Sequence, residues 1–264
     1  MKHSPLTEFA LLARAPDDTL NLEALCASIA RMRDPAVDAA AIGQELDLLA
    51  EDLQDRLPGP RRPDQLAAAL RREIGGRLDF RGFQEDYSSM DSSMLDQVLR
   101  QRRGLPILLS VVWMLIGKRL DLPIAGVNAP GHFLVCLDLP GARIYLDPFA
   151  GGAEVSAGQL LERVGGNRAA LVPAGSRPIV TRVLTNLKHL AIDQENWKLG
   201  LDAVDRIQLI SGDHPTHTRD RGLLCARLER RSEAARELRR YLQQAPEAPD
   251  RREVERVLRE LEEN

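Results

Sequence analysis

The sequence predicts a helix-rich α+β fold, with one central helix against a small antiparallel sheet and further helices flanking that core on both sides. Three observations predict it. The run LPILLSVVWMLIG (105–117) is apolar on almost every side, as a helix enclosed by other elements must be. Behind it, HFLVCLDLPGARIYLDPF (132–149) alternates around a Pro-Gly pair, the pattern of a β-hairpin. From about Pro178 to the end, apolar residues return every three or four positions. The 264 residues, 44% hydrophobic, suffice for more than one core. Three regions are expected: N-terminal helices over 1–57, the helix-and-hairpin core over 58–176, and a helical module over 177–264.

Between Leu6 and Leu57 the helical period is carried by Leu20, Leu22, Leu25, Cys26 and Ile29, then by Ile42, Leu46, Leu48, Leu49 and Leu53. Asp34-Pro35 and LPGPRRPD (57–64) interrupt it, because Pro cannot continue a helix and pushes its predecessor into extended geometry. A further helix is expected over 65–74, stopped by Gly75-Gly76, followed by an ordered loop with several aromatic residues over 77–93. Ser93 and Asp96 have the spacing of a capping box for a short helix ending near Arg102. Gly104 suits the C-terminal cap of that helix. Pro106 suits the first turn of the central one, where a missing N–H goes unpaired anyway.

With Pro140-Gly141 at the centre of the hairpin turn, the register follows. Asp138 faces Arg143, Leu137 faces Ile144, Cys136 faces Tyr145, Val135 faces Leu146 and Leu134 faces Asp147. One face is then Phe133, Val135, Leu137, Ile144 and Leu146, wholly apolar, and the other carries His132, Asp138, Arg143 and Asp147. A one-residue slip between the strands would mix the two sets. His132 and Asp147 become diagonal neighbours roughly 7–8 Å apart at the backbone, within side-chain reach.

Beyond Pro178 the breaks at SGDHPTH and APEAPD separate helices whose spacing suits paired antiparallel helices of a degenerate tetratricopeptide type, two pairs with a charged terminal helix. Their alternating Arg and Glu form a solvated exterior, and their functional reading is a groove for a protein or peptide. A net charge of -3 and pI near 6.0 give no basic field for nucleic acid or an anionic membrane. The longest apolar run falls short of the roughly 20 residues that span a bilayer. The opening residues, broken by Glu8, Arg14 and Asp17, do not read as a secretory signal, so a cytoplasmic protein is expected. Cys26, Cys136 and Cys225 are far apart and read as reduced thiols. His214 and His217 stand three apart beside Asp213, a metal-binding spacing on a helix, but a Pro divides them in an inter-helix loop. Neither metal nor cofactor is expected, and the oligomeric state is open.

A carboxylate-oriented imidazole is two thirds of a nucleophilic triad. Cys136 shares the face of His132, but four strand residues place it roughly 13 Å away. Cys26 and Cys225 sit on apolar helix stripes, where a small buried hydrophobe is expected. Ser110, one turn inside the central helix, is the remaining candidate, although a mid-helix Ser commonly bonds the carbonyl one turn back. A buried His–Asp bond also pins a hairpin without any chemistry. The glycines of Pro130-Gly131 and DPFAGG read equally as ligand approach or as plain turns. Arg100, Arg102 and Arg103, just before the central helix, read as an anion site or as a solvated charge run.

The segments MLDQVLRQRRGLPILLSVVWMLIGKRLDLPIAGVNAPGHFLV, IYLDPFAGG, RVLTNLKHLA and RDRGLL resemble the bacterial invasion-regulator-like (SirB-type) family, and the resemblance covers nearly the whole chain. It implies a transglutaminase-like core of cysteine-proteinase type followed by tetratricopeptide repeats. It further implies that His132 and Asp147 match the His and Asp of that core. The nucleophilic Cys of the family pattern falls on Gly104-Leu105-Pro106, with Pro106 in its place. Two functions follow as expectations. One is a non-catalytic protein-interaction or regulatory factor. The other is a hydrolase or amide-transfer enzyme in which His132 and Asp147 work with Ser110 or an activated water.

Overall fold

The computed structural model describes residues 4–57, 62–129, 132–139 and 141–263. They divide into two compact units, Ala15–Val183 and a second made of Met1–Arg14 with Leu184–Asn264. Helix α1 (Pro5–Leu12) belongs to the second unit, and α2 (Leu22–Ala30) and α3 (Ala39–Gln54) to the first. Asn21 and Asp38 cap α2 and α3 by accepting the amides of Ala24 and Ala40 at 3.0 and 2.9 Å.

Helix α4 (Pro63–Leu70) does not stop at the glycine pair. It continues into a π-helical turn, Arg71–Arg77, in which the Leu78 amide donates to the Glu73 carbonyl at 2.8 Å. The glycines are used for contact rather than termination, since Gly75 lies against the backbone of Gly151. The 77–93 segment is ordered through 3₁₀ turns at Gln84–Ser88 and Asp91–Ser93, then α5 (Leu95–Gln101) and α6 (Pro106–Arg119) follow. The capping box does not form. Ser93 belongs to the preceding 3₁₀ turn and its hydroxyl is buried with no partner, while Asp96 accepts from the Gln97 side chain. Nor does Gly104 cap α5: the left-handed residue is Arg102, and Gly104 is instead small enough to sit against Val98. Pro106 is the first residue of α6, as its ring geometry favours.

The sheet is antiparallel throughout, in the order β1 (Ile124–Ala129), β2 (His132–Leu139), β3 (Ala142–Asp147), β4 (Ala153–Val155). The β2–β3 register runs from Val135 opposite Leu146 to Leu139 opposite Ala142, the pairing expected from the sequence. Pro140, one of the two expected turn residues, lies outside the described residues, as does Gly131. One sheet face packs on α6, where Phe133 reaches Gly126 beside Met114. The other face is not polar along its length. Leu134, Cys136 and Tyr145 are covered by Leu160 of α7 (Ala157–Arg163) and Leu171 of a 3₁₀ turn, leaving polar groups only at its ends. Strands β1 and β4 and helix α7 have no counterpart in the sequence reading.

Helix α8 (Ser176–Asp193) starts in the first unit and ends in the second, which continues with α9 (Trp197–Ser211), α10 (Pro215–Arg227), α11 (Arg231–Gln244) and α12 (Arg251–Glu263). Sequence neighbours α9 to α12 pack on one another around Leu201, Val204, Leu224, Cys225 and Ala234, then Leu238, Tyr241 and Val254. Gly222 permits the close crossing of α10 and α11, where a Cβ would stand 2.6 Å from Leu238. Phe9 of α1 is fully buried, with the Arg206 guanidinium of α9 5.7 Å from its ring centre. Among the described residues no helix is long and apolar enough to cross a membrane.

Candidate functional site

The β2–β3 register brings His132, at the first position of β2, to Asp147, at the last position of β3, with Nε2 and Oδ2 2.8 Å apart. The second carboxylate oxygen is also used, accepting the amides of Phe149 at 2.9 Å and Ala150 at 3.2 Å. The carbonyl of Asp147 accepts from Gly152 at 2.7 Å, a closure that needs the positive φ of 81° at Gly152. The carboxylate is thereby held by backbone as well as by the ring, and a neutral imidazole that donates to it from Nε2 keeps its lone pair on Nδ1. No described residue engages Nδ1. The side chains are 20% and 16% exposed, so the ring is reachable from solvent while its partner is held.

Aromatic residues frame the pair. Phe149 meets the His132 ring edge-on at 6.1 Å and lies 5.5 Å from Tyr87, whose ring is exposed. Burial and then the nearby Asp147 charge raise the Tyr87 phenol above its ordinary value, against an opposing effect of Arg182. Sequence reasoning missed both side chains. The cluster of aromatic residues in 77–93 and the Phe of DPFAGG were the available signals.

Ser110 is not brought to the pair. It is fully buried, and its hydroxyl donates to the Phe133 carbonyl of β2 at 3.4 Å rather than to its own helix. The three thiols are all buried. Cys136 is buried four residues along β2, Cys26 is buried in α2 and Cys225 belongs to the second unit. Burial, with the Glu23 charge adding to it, pushes the Cys26 thiol up to about 12, and burial raises Cys136 and Cys225 as well. Pro106, at the start of α6, is buried.

Of the neighbouring arginines, Arg100 is exposed, while the other two are engaged by aromatic rings. Arg102 stacks over Phe80 at 4.7 Å and pairs with Glu45 at 2.7 Å, and Arg103 stacks over Phe83 at 3.7 Å. The glycines of DPFAGG turn inward, Gly151 against Gly75 and Gly152 against Trp113. His214 and His217 do not share a loop: His214 is the N-cap of α10, accepting from Thr216 at 3.3 Å, and His217 is inside the helix. Among the described residues no group of three or more His, Cys, Asp or Glu could hold a metal ion.

A His–Asp pair joining adjacent strands of a small antiparallel sheet, with an enclosed helix packed on that sheet, is the arrangement of a transglutaminase-like core. The chain belongs to the transglutaminase-like superfamily, whose sequence pattern matches residues 40–185, and a tetratricopeptide-repeat pattern matches residues 187–259. Over 246 residues it is 34% identical to a UPF0162 protein of Xylella fastidiosa strain Temecula1, covering 89% of this chain and 88% of that one. Over 213 residues, 77% of each chain, it is 27% identical to the UPF0162 protein YchA of Escherichia coli K12 and 26% identical to Protein SirB1 of Salmonella typhimurium. These relatives make it a member of the SirB-type family that its motifs resemble. No solved structure matches. Tetratricopeptide repeats stack helix pairs into binding surfaces for other proteins.

Proposed function

We propose that the protein is a non-catalytic transglutaminase-like factor of the cytoplasm that acts through protein interaction or regulation, its helical repeats taking a protein or peptide. The observation that carries this reading is Pro106 at the head of α6 in a chain that keeps the His132–Asp147 pair. Proline has neither thiol nor hydroxyl, so no acyl-enzyme can form there. The three cysteines support the reading because burial holds each as an unreactive thiol.

A second reading, a hydrolase, is favoured by one observation. The Nδ1 of a 20% exposed imidazole, unengaged among the described residues, is where a general base would hold water. In that reading water is the attacking group, because the Ser110 hydroxyl is buried and committed to Phe133.

One experiment separates them. The native chain is offered a panel of chromogenic esters and amides, and in parallel iodoacetamide at pH 8, with His132→Gln alongside. The expected result is no alkylation before unfolding, three alkylated cysteines after it, and no hydrolysis above that of the variant. Turnover that disappears in His132→Gln replaces the first reading with the second.

A further inference from the structure

The π-helical turn at Arg71–Arg77 stands where the sequence predicts a helix stop, and it faces the turn that follows Asp147. An ordinary α-helix would take the Leu78 amide to the carbonyl of Ile74, whereas here it reaches Glu73. Such widened turns are rare and recur at functional sites. At three places the 71–82 segment presses on residues 149–152. A Cβ on Gly75 would lie 1.9 Å from the carbonyl oxygen of Gly151 and 2.4 Å from its carbon, so the two backbones are in direct contact. A Cβ on Gly82 would enter the Phe149 ring at 2.0 Å, and the Gly82 amide donates to the Phe149 carbonyl at 2.9 Å. Gly152 is held between Trp113 and the Cα of Arg71.

The pressed turn is the one whose amides fix the Asp147 carboxylate. Phe149 and Ala150 donate to Oδ1, and Gly152 donates to the Asp147 carbonyl. The hydrogen bonds to the Asp147 carboxylate, apart from that of His132, come from a segment that has no room to move toward 75 or 82.

We propose that Gly75 and Gly82 are positioning residues for the His132–Asp147 pair: the π turn acts as a buttress that sets the carboxylate and, through it, the imidazole tautomer. The inference rests on this pair being the functional site. It holds equally for recognition and for hydrolysis, because it concerns the resting geometry.

Gly76 supplies the control. It occupies the same π turn, yet its Cβ would find nothing nearer than 3.7 Å. The ring nitrogens of His132 are followed by long-range nitrogen–proton NMR in the full chain, assigned with His132→Gln. The wild type and Gly76→Ala are expected to show the Nε2–H tautomer with a slowly exchanging, hydrogen-bonded proton. Gly75→Ala is expected to lose that signal and shift to a mixture of tautomers. If Gly75→Ala does not fold, Gly82→Ala and the wild-type amide exchange decide. Gly82 and Gly152 should exchange at the same protected rate as Leu78 and Phe80. A folded Gly75→Ala or Gly82→Ala that keeps the wild-type ring spectrum overturns the proposal, and so does free exchange of the 149–152 amides beside a protected π turn. None of these readouts depends on turnover, so a failure of the functional reading in the ester and amide assay is seen separately.

Discussion

Two polar pairs, one in each unit, have nearly the same bond length and very different surroundings. Lys188 Nζ meets Asp220 Oδ2 at 2.6 Å with side chains 7% and 10% exposed, and His132 meets Asp147 at 2.8 Å with side chains 20% and 16% exposed. Around Asp220 nothing is left over. Its other oxygen accepts from Arg219 at 2.8 and 3.1 Å, Arg219 continues to Asp250 at 2.6 Å, and the Tyr241 hydroxyl donates to Asp250. This chain of bonds joins α8, α10, α11 and the start of α12. Around His132 one ring nitrogen has no partner among the described residues. Burial of charge is costly unless every bond is made, so a closed network marks architecture and an open nitrogen marks a place for something else.

The largest break of that comparison is expected at Lys188→Met. Removing one partner of a buried pair leaves Asp220 short of a cation, a loss of about 3–5 kcal/mol for such pairs. Urea unfolding of the full chain should show it. The double variant Lys188→Met with Asp220→Leu should recover much of the loss, because an apolar pair has no charge to strand. Additive losses would mean that the pair is not coupled.

Acid should reach the same network next. At Asp220 burial works against ionisation, but the hydrogen bonds from Lys188 and Arg219 outweigh it and hold the carboxyl below its ordinary value. Asp250 is lowered by Tyr241 and Arg219, again against burial. A carboxyl whose folded pKa is depressed contributes stability that is complete above its unfolded value, about 4, and is lost as pH falls through the folded one. Thermal unfolding of the repeat unit should therefore weaken from about pH 4 downward. Asp220→Asn should flatten that decline, and an unchanged slope would assign it to other carboxylates.

The two units were also unequally legible in the sequence. The repeat helices were readable because their apolar period and their breaks are local, and DHPTH failed only in placing His217 outside the helix it begins. The β2–β3 hairpin was readable because alternation and a Pro-Gly turn fix a register, and the register alone carries Asp147 to His132. What escaped depends on distant backbone. Gly75-Gly76 reads as a stop because glycine is a poor helix former, yet Gly75 is bare so that Gly151, 76 positions along the chain, can touch it. Gly104 looked like a cap for the same local reason, while the left-handed turn went to Arg102, whose guanidinium is occupied by Phe80 and Glu45. The chemistry of Ser110 was undecidable from its helix, because the acceptor it chose is the carbonyl of Phe133, in the strand packed against that helix.

The smallest effect is the most telling. Asp147→Asn keeps the shape of the site, and an amide oxygen can still accept from the Phe149 and Ala150 amides. What it removes is a charge-assisted bond to a partly exposed imidazole, a change of about 1 kcal/mol in folding stability. The variant should therefore unfold almost with the wild type in urea, while the His132 ring loses its fixed tautomer because the amide can donate as well as accept. Structure kept and tautomer lost is the signature of a pair maintained for what its free nitrogen meets. A penalty on the scale of Lys188→Met would instead make His132–Asp147 a second piece of architecture and erase the distinction between the two pairs.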